Sequence, residues 1–160
     1  MAQLTLGRVH IAHVSTKESV DLIRQAKKRK IDITCETCPH YFALTEEAVL
    51  GYNTNAKVNP PLRTKEDVEA IKKGLSDGTI DAIATDHAPH SGEEKDVEFD
   101  FAASGMIGLE TALSLVYGEL IKKEILSWSQ AVERMSSSPA KILGLKGKGA
   151  LQAGSDADVT

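Results

Sequence analysis

The chain has 160 residues, 41% hydrophobic and 26% charged, which fits one globular domain or a piece of a larger one and excludes disorder and low complexity. A net charge of −4 disfavours a nucleic-acid partner, and no apolar run approaches the ~18 residues of a membrane span. Two cysteines and no apolar leader exclude a disulfide-stapled secreted scaffold and predict a cytoplasmic protein.

Strand-like and helix-like segments alternate along the chain. Val9–Val14 reads as a short strand. Ser15 and Thr16 follow as cap residues, with Glu18 at a capping-box position after Ser15. Val20, Ile23 and Ala26 recur at helical spacing, and Lys27–Lys30 closes that helix at the negative end of its dipole. Ile31–Thr37 is the next strand. Thr45 caps a short helix at Glu46–Leu50. Asn55–Asn59 is extended and stopped by Pro60-Pro61. Thr64 caps a helix over Lys65–Ser76, with Val68, Ile71 and Leu75 on one face. Ile80–Thr85 is nearly all apolar, as a strand covered on both faces should be. Ser91–Phe101 is a polar, acidic loop. Gly105–Lys123 and Ser127–Leu143 are helical, the second broken near Pro139. The tail 146–160 reads as turns between short strands. Apolar strands alternating with helices predict a parallel α/β sheet with its chemistry at the C-terminal strand ends.

All five histidines lie in the first 90 residues, at or near ends of strand-like segments. Thr85-Asp86-His87-Ala88-Pro89-His90 is the strongest motif. An aspartate at the tip of an apolar strand is costly unless paired or metal-bound, and the two histidines add ligands or proton carriers. The competing reading makes Asp86 a turn cap and the histidines surface residues. His10 and His13 are three apart, which in a strand puts them on opposite faces. His13, nearer the strand end, is the better ligand candidate, and His10 the more structural. The same parity separates Cys35 from Cys38, so a shared zinc or disulfide gives way to two buried small hydrophobes. Lys57–Arg63 is rigid and could hold the Asn59 amide against a ligand, or merely connect two helices. Ser104–Gly108 could bring backbone N–H groups to a ligand at a helix start, or only admit close packing.

The segments HVSTKESV (13–20), ETCPHYFALTEEAV (36–49), KVNPPLRTKEDVEAI (57–71), DGTIDAIATDHAPH (77–90) and GMIGLETALSLV (105–116) together resemble the bacterial-type dihydroorotases. These belong to the amidohydrolase superfamily of zinc-dependent TIM-barrel enzymes. ETCPHYF is shared with the sister allantoinases, whereas TDHAPH with NPPLR is specific. The tail from Gly149 to Val159 is similar to the family's return into a small β-domain. The resemblance implies a partial (β/α)₈ barrel, strands 6–8 with their helices, over residues 1–145, and the start of a C-terminal β-domain over 146–160. It implies His13 and Asp86 as metal ligands and Asp86 as the proton shuttle. Asn59, His90, Ser104 and Gly105 would bind substrate, with His40 a supporting neighbour rather than a ligand. Ala103-Ser104-Gly105 stands where the family often has Pro-Phe-Gly, so the substrate loop is altered.

The implied reaction is the reversible closure of N-carbamoyl-L-aspartate to L-dihydroorotate, with two Zn²⁺ per site. A full barrel takes about 250 residues. The first-strand H-x-H, a bridging ligand and a strand-5 histidine are missing from this sequence. It therefore reads as a C-terminal fragment, starting where an internal residue is expected and stopping at Thr160 within a strand. By itself it is expected to be inactive and to need the remaining barrel. The missing N-terminal half of the barrel is the expected partner, a homodimer stays open, and no nucleic-acid or membrane partner is expected. The alternatives are an allantoinase or dihydropyrimidinase type of cyclic amidase, a non-catalytic amidohydrolase-like assembly partner, or an unrelated metal-binding α/β domain.

Overall fold

The computed structural model describes residues 2–158. Met1, Val159 and Thr160, and with them the expectation of a strand at Thr160, lie outside the described residues. After a short helix α1 (Ala2–Thr5), three strands form one parallel sheet in the order β1 (Val9–Ile11), β2 (Ile33–Thr37), β3 (Ala82–Ile83). The register pairs Val9 with Ile33, Ile11 with Cys35, and Thr37 with Ile83. Parallel neighbours require crossovers. Helix α2 (Lys17–Lys28) supplies the first, and α4 (Lys65–Ser76) closes the second.

Both crossover helices are amphipathic and pack on each other. Val20 and Ile23 of α2 join Ile71 and Leu75 of α4 in a core with Cys35 and Ile80. Gly74 makes the approach possible, because a Cβ there would meet Ile80 at 3.0 Å and Val20 at 3.1 Å. The cap of α4 is as expected. Thr64 accepts from the Asp67 N–H and the Asp67 carboxylate accepts from the Thr64 N–H. The cap of α2 differs from expectation. Thr16, not Ser15, is the N-cap and accepts from Ser19 N–H, while the Ser15 hydroxyl accepts from Arg63 Nε at 3.4 Å.

The strands are shorter than their apolar runs. The first stops at Ile11 because His13 turns into the left-handed region at φ 56°. The last has two ladder residues, extended on each side by the Asp81 N–H to Cys35 and the Ala84 N–H to Thr37. Asp86, at φ 48°, ends it. Residues 54–56 form a 3₁₀ turn rather than extended chain, since the Asn53 side chain accepts from Asn55 N–H. Within the acidic loop, Gly92–Lys95 is a helical turn, α5, capped by Ser91.

The helix expected from Gly105 begins seven residues later, at α6 (Ala112–Val116). Met106 bridges His87 in parallel fashion, and its carbonyl accepts from Ala88 N–H, which holds residues 105–108 extended. A π-helical turn over Tyr117–Ile121 continues α6. Pro139 does not break the last helical segment. Between α7 (Trp128–Val132) and α8 (Ser138–Leu143) the chain widens into a π turn at Glu133–Ser137, and Pro139 falls in the first turn of α8, where a residue lacking an N–H is tolerated. Among the described residues, 146–158 form turns and no strand. No helix is long and apolar enough to cross a membrane.

Candidate metal centre

Three of the sequence-selected residues meet beyond the C-terminal ends of the sheet. His13 follows β1 by two residues and Asp86 follows β3 by three, both with left-handed backbones. Such conformations cost a non-glycine residue energy and recur at functional sites. His13 Nε2 lies 3.6 Å from Asp86 Oδ1. Cys38, one residue past β2, sets its sulfur 3.3 Å from His13 Nδ1. Donor atoms of His13, Cys38 and Asp86 all lie within 4.8 Å of one another.

His40, on the short helix α3 (Pro39–Ala43), completes the cluster. Its side chain is 4% exposed, and its Nε2 stands 4.0 Å from Asp86 Oδ2 with no hydrogen-bond partner. Burial lowers the His40 pKa to about 4, against the pull of Asp86 and with the push of His13, so the ring is neutral near pH 7. The Cys38 thiol is driven far upward by burial, then by Asp86 and Glu36. It stays protonated unless a cation displaces the proton. Nitrogen, sulfur and carboxylate donors suit a zinc-like ion. At metal–ligand lengths of about 2.0–2.3 Å, tetrahedral ligands sit roughly 3.3–3.6 Å apart. The 3.6 Å spacing of His13 Nε2 and Asp86 Oδ1, together with the orphaned His40 nitrogen, fits such a group, while the Cys38 sulfur lies against the other ring nitrogen of His13.

The sequence missed Glu36. It sits on β2 between the two histidines, with Oε2 3.4 Å from His10 Nε2 and Oε1 3.3 Å from His13 Nδ1. The expectation that His10 and His13 face opposite ways is therefore corrected. The strand has ended before His13, and its left-handed backbone breaks the two-residue alternation. For the cysteines the expected separation holds. Cys35 Sγ donates to the Thr79 carbonyl on the core side, and burial, then Asp81, raises its pKa to about 11.

The residues expected to bind substrate lie on three loops laced together. His90 Nε2 donates to the Ser104 carbonyl at 3.1 Å. Gly105 N–H donates to the Lys57 carbonyl at 2.9 Å, two residues before the exposed Asn59. Gly105 sits at φ 142°, where a Cβ would lie 2.6 Å from the Ala88 Cβ. Two further residues hold these loops. The Lys95 ammonium donates to the carbonyls of Ala103 at 2.8 Å, Thr54 at 3.1 Å and Lys57 at 3.5 Å. His87 Nδ1 accepts from the N–H groups of Gly108 and Leu109 at 3.1 and 3.2 Å, which makes His87 a loop anchor, not a member of the His13 cluster. A lysine in an acidic loop gave no sign of its burial.

A parallel α/β sheet carrying nitrogen, sulfur and carboxylate donors past its strand ends is an architecture able to hold a metal ion there. The chain belongs to the amidohydrolase family, which it matches over residues 2–160. It is 62% identical over all 160 residues to the dihydroorotase of Endomicrobium trichonymphae and 59% identical to that of Acetivibrio thermocellus. The chain spans only 38% and 37% of the lengths of those relatives. Among solved structures, an L-hydantoinase (dihydropyrimidinase) from Arthrobacter aurescens superposes with a TM-score of 0.88 at 36% identity, over 94% of this chain and 34% of that one. The dihydropyrimidinase of Brevibacillus agri NCHU1002 superposes with a TM-score of 0.90 at 28% identity, over 98% and 36%.

Proposed function

We propose that this chain is the closing part of a (β/α)₈ barrel, contributing strands 6–8 over residues 1–145 and the entry to a β-domain over 146–160. We infer that the intact protein is a cytoplasmic dihydroorotase acting on L-dihydroorotate and N-carbamoyl-L-aspartate. The observation that carries this reading is the His13–Asp86 pair, brought together from the ends of β1 and β3 across β2, beside the loops bearing Asn59, His90, Ser104 and Gly105. The 59–62% identity to dihydroorotases favours that substrate over allantoin or dihydrouracil. Exposed Leu109, Leu113 and Tyr117, four residues apart, leave an apolar stripe that the remaining barrel or a second subunit would cover.

His13 and Asp86 would hold zinc, one of two ions per site, the other ligands coming from the rest of the barrel. A bound zinc ion supplies Lewis acidity that activates water and polarises the ring carbonyl. In the hydrolytic direction water adds to that carbonyl carbon and the ring C–N bond breaks. Asp86 takes the proton from water and delivers it to the leaving nitrogen, as general base and then general acid. Asn59, His90 and the Ser104–Gly105 backbone orient the substrate.

Steady-state assays on the intact enzyme test this. Dihydroorotate is expected to be turned over in clear preference to allantoin and dihydrouracil, and Asp86→Asn to lower kcat by about 10²–10⁴-fold. Preference for dihydrouracil would transfer the reading to a dihydropyrimidinase. The 160-residue chain alone is expected to show no turnover.

A further inference from the structure

We propose that Lys95 is a positioning residue for substrate binding, whose buried ammonium fixes the Ala103–Ser104 and Lys57–Val58 peptide planes with their N–H groups turned outward, ready for an acceptor oxygen of the substrate. The inference takes from the proposed function only that substrate meets these loops. It adds a residue that acts through two peptide units and does not touch substrate itself.

An ammonium has three N–H donors and no acceptor. Lys95 is 8% exposed, and its donors meet the carbonyls of Ala103 at 2.8 Å, Thr54 at 3.1 Å and Lys57 at 3.5 Å. A buried charge is costly unless it is paired or hydrogen-bonded. No carboxylate pairs with this one. Burial, then the Lys57 ammonium, lowers its pKa with nothing anionic against them. The acidic side chains of the same loop, Glu93, Glu94, Asp96, Glu98 and Asp100, are exposed to solvent. Backbone dipoles alone therefore stabilise the charge, and the ammonium and its carbonyls hold one another in place. Lys57 Nζ repeats the device, donating to the carbonyls of Phe99 at 2.6 Å and Asp100 at 3.1 Å. A loop that needed only bulk at position 95 would take an apolar side chain without the cost of burying a charge.

A trans peptide unit points its C=O and the following N–H in opposite directions. Both units on Lys95 are trans. With the Ala103 carbonyl on Lys95, the Ser104 N–H points away from the ammonium. The Lys57 carbonyl accepts from Lys95 and also from Gly105 N–H at 2.9 Å, so the Val58 N–H points away as well. Among the described residues, the N–H groups of Val58, Asn59 and Ser104 donate to nothing. His90 Nε2 lies 3.1 Å from the Ser104 carbonyl, which holds the peptide unit on the other side of Ser104. Unclaimed N–H groups on a fixed backbone are what a carbonyl or carboxylate oxygen needs. Ordering them in advance removes an entropic cost from binding. That gain is shared by bound substrate and transition state, so losing it raises KM and spares kcat.

Steady-state kinetics of the intact enzyme on dihydroorotate test this, with Lys95→Met as the variant of similar length that lacks the charge. KM should rise about 10-fold while kcat stays within about threefold of wild type. Lys95→Arg keeps the charge but spreads its donors in a plane, so its KM should fall between the two. It carries the measurement if Lys95→Met does not fold. An unchanged KM, or a fall in kcat with KM unchanged, overturns the proposal. ¹⁵N relaxation on the 160-residue chain reads the backbone directly. The Ser104 amide should be rigid in wild type, with an order parameter of about 0.85, and should loosen in Lys95→Met while Ile71 does not change. A Ser104 amide that is mobile in wild type, or as rigid in Lys95→Met as in wild type, also overturns it. If the intact enzyme prefers dihydrouracil, the dihydroorotase reading falls instead, and the same split of KM against kcat on dihydrouracil decides the role of Lys95.

Discussion

On one face of β2, Cys35 and Thr37 are fully buried, Cys35 among Val20, Ile23, Ile71 and Leu75 of the crossover helices. On the other face, Thr34 and Glu36 meet histidines instead of hydrocarbon. The two faces alternate residue by residue along five positions. The buried face holds the sheet against its helices. The other holds groups that are unsatisfied or backbone-strained, as His40 Nε2, His13 and Asp86 illustrate. Stability and chemistry are thus divided across a single strand, and substitutions should separate them.

The largest effect should fall on the buried face. Leu75→Ala removes a fully buried side chain and should cost about 2–5 kcal/mol in urea unfolding. Gly108→Ala comes next. Its Cβ would lie 2.5 Å from the Thr85 carbonyl oxygen, backbone that cannot move without shifting Asp86. About 1–3 kcal/mol of overpacking strain is expected, together with weaker zinc uptake. A Gly108→Ala chain as stable as wild type would show that the strand end yields more freely than its contacts imply.

Lys95→Met should be similar in size or smaller. Lost hydrogen bonds to three carbonyls should cost about 1–3 kcal/mol. Hydrogen exchange at Gly105 N–H should speed up more than at Ile71, because the loops and not the core lose their tie.

A smaller, pH-dependent effect belongs to Asp67. Burial raises its pKa, but hydrogen bonds from Lys17 N–H and from Thr64 outweigh this and hold it below the ordinary value of 3.8. A depressed carboxylate stabilises the fold above 3.8, and that contribution is lost as pH falls through the folded-state pKa. Urea midpoints between pH 5 and pH 2 should therefore fall less steeply in Asp67→Asn than in wild type. Equal slopes would remove Asp67 as the acid-sensitive tie between α2 and α4. The smallest stability change is expected at Asp86→Asn, about 0.5 kcal/mol or less, because asparagine tolerates a left-handed backbone. Zinc binding should nonetheless weaken. A large loss of stability there would break the division between the faces.

Much of this was legible in the sequence because it depends on local pattern. The apolar run before Asp86, the 3.6-residue spacing of Val68, Ile71 and Leu75, and the Thr64 cap each specify their own element. His13 and Asp86 were legible because a polar residue at an apolar strand tip needs a partner. Glu36 was not, because a strand glutamate resembles any solvent-facing residue until His10 and His13 are placed opposite it. The parity rule then misled at His13, where one left-handed residue reverses the side to which a side chain points. The start of α6 was misplaced for a related reason. The bridge from Met106 to His87 joins residues nineteen apart and overrides the local helical preference of 105–111.

Trp128 is the single tryptophan of the chain, and its ring stacks on Tyr117 at 5.7 Å with 57% of the residue exposed. Its emission therefore senses the seam of α6 and α7, at one end of the uncovered apolar stripe, and not the strand-end cluster. Intrinsic fluorescence should stay silent as zinc fills the site, yet shift to the blue when another polypeptide covers those helices. The molecule carries an optical label for assembly that ligand binding leaves undisturbed.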